Sequence, residues 1–274
     1  MQFKFGGKRR EDNPQPFEGA ESGGMNRAMK GHFVAMTGEF VGTVLFLWFA
    51  FGATQLANTL SPPATGGVAR VFYISTAFGF SLAVSAWSFY RVSGGLFNPA
   101  VTLGMCLAGA LPWVRGALLF LPQMLGGMVA AGLVKCMFPG PMAVATTLGG
   151  GTSKAQGVFI EMFCTALLVF TVLMLAAEKW KATFIAPVGI GLALFVAELT
   201  AVYYTGGSLN PTRSFGPCVA NRNFPGYHWI YWLGPALGAA LAAGYYRFAK
   251  ALDYEEANPG QDKSSQSYED GRNR

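Results

Sequence analysis

Two stretches, SGGLFNPAVTLG (Ser93 to Gly104) and GGSLNPTRSFG (Gly206 to Gly216), decide how the rest of the chain is read. In each, glycines able to turn sharply precede an Asn-Pro pair, and a short apolar run follows. Proline is well placed at the first position of a helix, where its missing N–H is not needed. Asn98 and Asn210 are therefore expected to cap helices that open at Pro99-Ala100 and Pro211-Thr212. An Asn cap adds amide donors to the positive end of a helix dipole. Two such caps facing each other would favour a lone-pair-bearing solute and repel cations.

The surroundings are those of a bilayer. Of 274 residues only 12% are charged and 52% are apolar, with a mean hydropathy of +0.34, whereas a globular chain is about a quarter charged. Apolar segments long enough to cross about 30 Å of hydrocarbon lie near residues 33–57, 71–91, 113–137, 158–178, 184–204 and 227–249. The stretches 99–109 and 211–219, which begin at the Asn-Pro pairs, are too short to cross and read as re-entrant half-helices. Non-helical backbone at that depth is tolerated only where it is buried in protein or lines a cavity. The expected fold is thus an all-α membrane protein of six transmembrane helices and two half-helices.

The polar ends fit that picture. Residues 1–31 and 251–274 have the composition of disordered tails, leaving a channel domain at 32–250 with repeats at about 32–137 and 158–250. Under six crossings, 15 of the 20 Lys and Arg residues fall on the side of the termini and 5 on the other. The positive-inside rule then makes both termini cytoplasmic, with the plasma membrane as the default location. The net charge of +6 matches that topology and anionic lipid, and does not call for nucleic acid. The chain start lacks the apolar run of a cleaved signal peptide, so the first crossing is expected to serve as the targeting element. The four cysteines lack metal-ligand spacing, and no Ser-His-Asp set, metal cluster or nucleotide-binding loop is visible; neither metal, cofactor nor enzymatic chemistry is expected.

The chain is also a duplication. TGEFVGTVLFLWFAFG (Thr37 to Gly52) and FIEMFCTALLVFTVLM (Phe159 to Met174) each place an acid four residues before a threonine, Glu39 with Thr43 and Glu161 with Thr165. The acids are 122 positions apart and the two box asparagines 112. With three crossings per half, the second half enters from the opposite face, giving an inverted 3+3 repeat whose half-helices meet near the midplane. Carboxylates are costly in a membrane interior. Glu39 and Glu161 read as acceptors that hold the re-entrant backbone, with proton relay as the alternative.

Taken with the run TGGSLNPTRSFGP and the last-helix stretch HWIYWLGPALGAAL, these boxes resemble those of the aquaporins, the major intrinsic protein family, from about Gly38 to Tyr246. The resemblance implies a homotetramer with one pore per subunit, passing water or small neutral solutes passively. It also implies a selectivity filter at Phe78, Glu198, Gly207 and Arg213. Ser214 and the Tyr231-Trp232 pair resemble water-selective members; a channel for another small solute (glycerol, hydrogen peroxide, ammonia) or ions is the alternative. The chain departs from the family pattern at Glu198, where orthodox water channels resemble one another in having His. Its carboxylate either pairs with Arg213 to plug or gate the pore, or turns to backbone donors. Thr212 replaces the usual alanine of the second box and is expected to satisfy its hydroxyl on nearby backbone.

Overall fold

The computed structural model describes residues 26–61, 67–179 and 182–257. Helix α1 spans Arg27–Leu60, α2 Gly67–Phe89, α3 Pro99–Ala108 and α4 Trp113–Met137. The second half repeats the order: α5 Lys154–Val172, extended by a π-helical turn over Leu173–Ala177, then α6 Ala186–Thr205 entered through a 3-10 turn, α7 Pro211–Asn221 and α8 Ile230–Ala251. A single turn, α9, covers Tyr254–Ala257. The six long helices and the two short ones, α3 and α7, sit where the apolar pattern puts them, and among the described residues there is no strand.

Among the described residues, five long helices are apolar enough as well as long enough to cross a membrane. The sixth, α8, has 22 residues, about 33 Å at 1.5 Å per residue. Its apolar character is diluted by Gly, Pro and Tyr along its length and by Arg247 and Lys250 near its end.

Helical structure reaches a little beyond both ends of the expected channel domain. Helix α1 starts at Arg27, not beyond residue 31, because Asn26 caps it by accepting from the Ala28 N–H. At the other end helical structure runs to Ala257, where Lys250 pairs with both Glu178 and Glu255. The remaining tail residues, 1–25 and 258–274, lie outside the described residues.

Packing follows the inverted repeat. Helix α1 packs on α2 and α4 as α5 packs on α6 and α8, and α2 meets α6 between the halves. Each half-helix crosses to the other half: α3 packs on α8 and α7 on α4. Glycines allow that approach. A Cβ at Gly127 of α4 would fall 2.2 Å from the Thr212 methyl and 2.9 Å from its carbonyl oxygen. On the opposite side, a Cβ at Gly104 of α3 would meet Val169 at 2.4 Å.

Candidate functional site

The two half-helix tips are tied to the same framework by the same bonds. Asn98 and Asn210 are extended at their own φ and ψ and accept, through Oδ1, from the N–H groups of Ala100 and Thr212 at 2.8 and 3.0 Å. The residue before each, Phe97 and Leu209, is left-handed at φ 51°, a conformation costly for a residue with a Cβ. It is held from both sides. The Phe97 N–H donates to Glu39 Oε2 and its carbonyl accepts from Asn210 Nδ2, at 2.7 and 2.9 Å. The Leu209 N–H donates to Glu161 Oε2 and its carbonyl accepts from Asn98 Nδ2, at 2.7 and 2.8 Å. Each Asn thus grips the backbone of the other tip with one amide hydrogen and keeps a second.

Both acids are fully buried and densely bonded. Glu39 also accepts from Leu96 N–H, Ser93 Oγ and Gln123 Nε2; Glu161 also accepts from Ser208 N–H and Thr205 Oγ1. Gln123, which also bonds Thr102, had no place in the sequence reading. The signal available was a lone amide inside the apolar run LLFLPQMLGG, but nothing in the spacing says which acid it meets.

A cavity of about 190 Å³ runs from Tyr90 and Lys179, at the end of the molecule where the described chain begins and ends, past both box asparagines to Phe78 and Arg213. A second, of about 560 Å³, opens on the opposite side, lined by Thr54, Asn58, Arg70 and Tyr203 among others. Among the described residues, Arg213 is the one common to both linings, so it stands between the two cavities. Its guanidinium donates to three carbonyls, Gly207 (2.8 Å), Val144 (2.7 Å) and Gly206 (3.3 Å). The Phe78 and Phe51 rings lie 4.9 and 5.3 Å from its carbon. Phe51 was missed from sequence because an aromatic in an apolar helix reads as core.

Glu198 is placed differently from either sequence expectation. It is fully buried, yet it makes no ion pair with Arg213, and among the described residues neither oxygen has a hydrogen-bond partner. The carboxyl rests against Gly207, where a Cβ would fall 1.7 Å from Oε2. The reason is local: carbonyls already hold Arg213, and the bare Cα at 207 leaves a recess. Thr212 also departs from expectation, since its hydroxyl donates to the Met124 sulfur at 3.1 Å instead of to backbone.

The description of the major intrinsic protein family matches residues 28–246. The chain belongs to that family. It is 62% identical over 236 residues to probable aquaporin-3 of Gibberella zeae, covering 84% of this chain and 82% of that one. It is 60% identical over 245 residues to aquaporin-7 of Botryotinia fuckeliana, covering 87% of this chain and 54% of the relative. Against aquaporin-7 and aquaporin-5 of that fungus the chain spans only about half their length, 54% and 46%. The aquaglyceroporin from Plasmodium falciparum superposes with a TM-score of 0.71 at 20% identity, covering 81% of this chain and 99% of that one, which places this major intrinsic protein in the same fold.

Proposed function

We propose that the chain is a passive channel for water and small neutral solutes, in which Asn98 and Asn210 orient the solute and Arg213, Phe78, Glu198 and Gly207 form the filter. The observation that carries this reading is the spare amide hydrogen on each Asn, set on the wall of a cavity at the meeting point of two helix N-termini. Both donors and both dipole ends turn a water oxygen toward the tips and its hydrogens away, which breaks a chain of proton-passing waters. Arg213, which lines both cavities, adds a fixed positive charge and opposes cations. Glu39 and Glu161 act as anchors of the half-helices, a role their seven hydrogen bonds to tip and neighbouring donors support.

The exposed apolar side chains of the long helices, among them Phe80, Val84 and Phe163, suit contact with lipid and with the other subunits of a homotetramer. Basic residues at the termini end, including Arg27, Lys30, Arg115 and Lys250, support a cytoplasmic placement of that end, in the plasma membrane. Osmotic shrinkage of proteoliposomes, followed by stopped-flow light scattering, tests the channel. It should run several-fold faster than in protein-free vesicles, with no added proton leak; a rate equal to bare lipid ends the reading.

A further inference from the structure

The larger cavity, of about 560 Å³ on the side away from the termini, holds an imbalance of charge. Arg70, near the start of α2, and Arg213 both line it, and among the described residues its lining has no Asp or Glu. Neither guanidinium is neutralised from another direction, since among the described residues the ion pairs are those of Lys250. Arg213 is 2% exposed and is held by three backbone carbonyls, which leaves it two of five N–H groups. Arg70 donates one N–H, from Nη1 to Asn58 Oδ1 at 2.7 Å, and Asn58 is fixed in turn by donating to the Ala143 carbonyl. Among the described residues the Arg70 Nε is buried without a partner and Nη2 keeps both hydrogens. Glu198, behind Arg213, is fully buried and lines neither cavity.

The inverted repeat shows that the scaffold needs neither charge. Moving back by the 112 residues that separate the two box asparagines, Glu198 and Arg213 correspond to Ala86 and Val101. Arg70 is the fourth residue of α2, and the fourth residue of α6, the matching helix of the other half, is Gly189. Two cations sharing a cavity repel each other, and surrounding protein screens that repulsion less than bulk water does. An anion between them removes the repulsion and takes up the idle donors.

We infer that this cavity is a binding site for a compact dissolved dianion, an oxyanion such as sulfate or a short dicarboxylate, bridging Arg70 and Arg213. A guanidinium presents its N–H groups as a fork that fits such oxygens two at a time. Bound there, the anion stands over Arg213, the residue shared with the inner cavity, and shuts the passage. The block rests on the channel reading above; the binding does not. Arg70 also borders an outer groove with Leu56, Leu60 and Tyr73, so a lipid phosphate is the other source of the same chemistry.

The test uses the full chain, by titration calorimetry in detergent and by stopped-flow light scattering in vesicles of neutral phosphatidylcholine. Malonate and sulfate are the probes, with chloride at matched ionic strength as the control, and each variant is compared with its own anion-free flow. Wild type should bind malonate at one site per chain and lose most of its water flow at saturation, and chloride should do neither. Arg70→Gln removes the fork and should weaken binding and block roughly tenfold or more, a tenfold change being about 1.4 kcal/mol. Arg70→Lys keeps the charge without the fork, so it should fall between Arg70→Gln and wild type. Should Arg70→Gln fail to elute as wild type does, Arg70→Lys decides. Absence of malonate and sulfate binding, or binding indifferent to Arg70, overturns the inference, and so does a block that appears only when anionic lipid is added to the vesicles. Binding that leaves water flow unchanged overturns the block. A wild-type flow equal to bare lipid overturns the channel reading, while calorimetry still decides the anion site.

Discussion

The two halves of the chain use one scaffold for different ends. At the tips they are nearly superimposable in chemistry: each buried acid takes the N–H groups of the two residues before the box Asn and the hydroxyl five before it, Ser93 or Thr205. A short distance away they diverge. Ala86 and Val101 are apolar and line the first cavity, whereas the second half has a carboxyl, Glu198, and a guanidinium, Arg213, at the same two repeat positions, with Arg213 lining both cavities and Glu198 buried behind it. What the halves share is what folding requires of a re-entrant helix. What they do not share is where discrimination among solutes is to be sought.

The comparison is broken most severely by removing an anchor. Glu39→Ala strands four donors and Glu161→Ala three, all in or beside a half-helix tip. At about 1–3 kcal/mol for each buried donor left unmatched, either change removes several kcal/mol. Neither variant should yield a monodisperse protein in detergent. Glu39→Gln and Glu161→Gln, which keep an acceptor, should be recoverable with lowered melting temperatures, the Glu39 variant lower because Gln123 also depends on that acid. A Glu39→Ala protein as stable as wild type would show that the half-helices hold themselves in place.

Next come the caps. Asn98→Ala and Asn210→Ala each lose a helix cap, typically about 1 kcal/mol, and one bond to the opposite tip, about another 1 kcal/mol. Because the bonds are reciprocal, the two losses should be of similar size when melting is compared in one detergent. Unequal losses would mean that one half-helix carries the other.

Much of this was legible in the sequence, because membrane helices announce themselves by length and apolarity and the boxes by Asn-Pro. The half-helices, the long helices and the pairing of Glu39 with Glu161 follow from those signals. The ends of the apolar core did not, since Asn26 and the Lys250 pairs extend helices into polar sequence where hydropathy falls away. Nor did the partners of individual groups. Position 198 could be aligned with a filter, but whether its carboxyl faces Arg213 or Gly207 depends on which carbonyls reach the guanidinium first, and Val144 comes from a loop 69 positions away. Gln123 and Phe51 were hidden for the same reason: their residue types are unremarkable until a fold brings them beside Glu39 and Arg213.

The smallest expected effect makes the second box a copy of the first. Thr212 stands where the first half has Ala100, and Thr212→Ala removes one methyl packed on Gly127 and a hydroxyl bonded to the Met124 sulfur. A buried methyl is worth about 0.8 kcal/mol, and a thioether is a weak acceptor, so the loss should be near 1 kcal/mol and no more. Asn210 keeps the Thr212 N–H that donates to its Oδ1, its grip on the Phe97 carbonyl and its spare hydrogen in this variant, because none of them passes through the Thr212 side chain. Water permeability per protein should therefore match wild type while the melting temperature drops by a few degrees. A change in permeability without a change in melting would mean that the hydroxyl, and not only the shared framework, shapes the path at the tips, and the line drawn between the anchoring and the discriminating parts of the molecule would have to move toward the midplane.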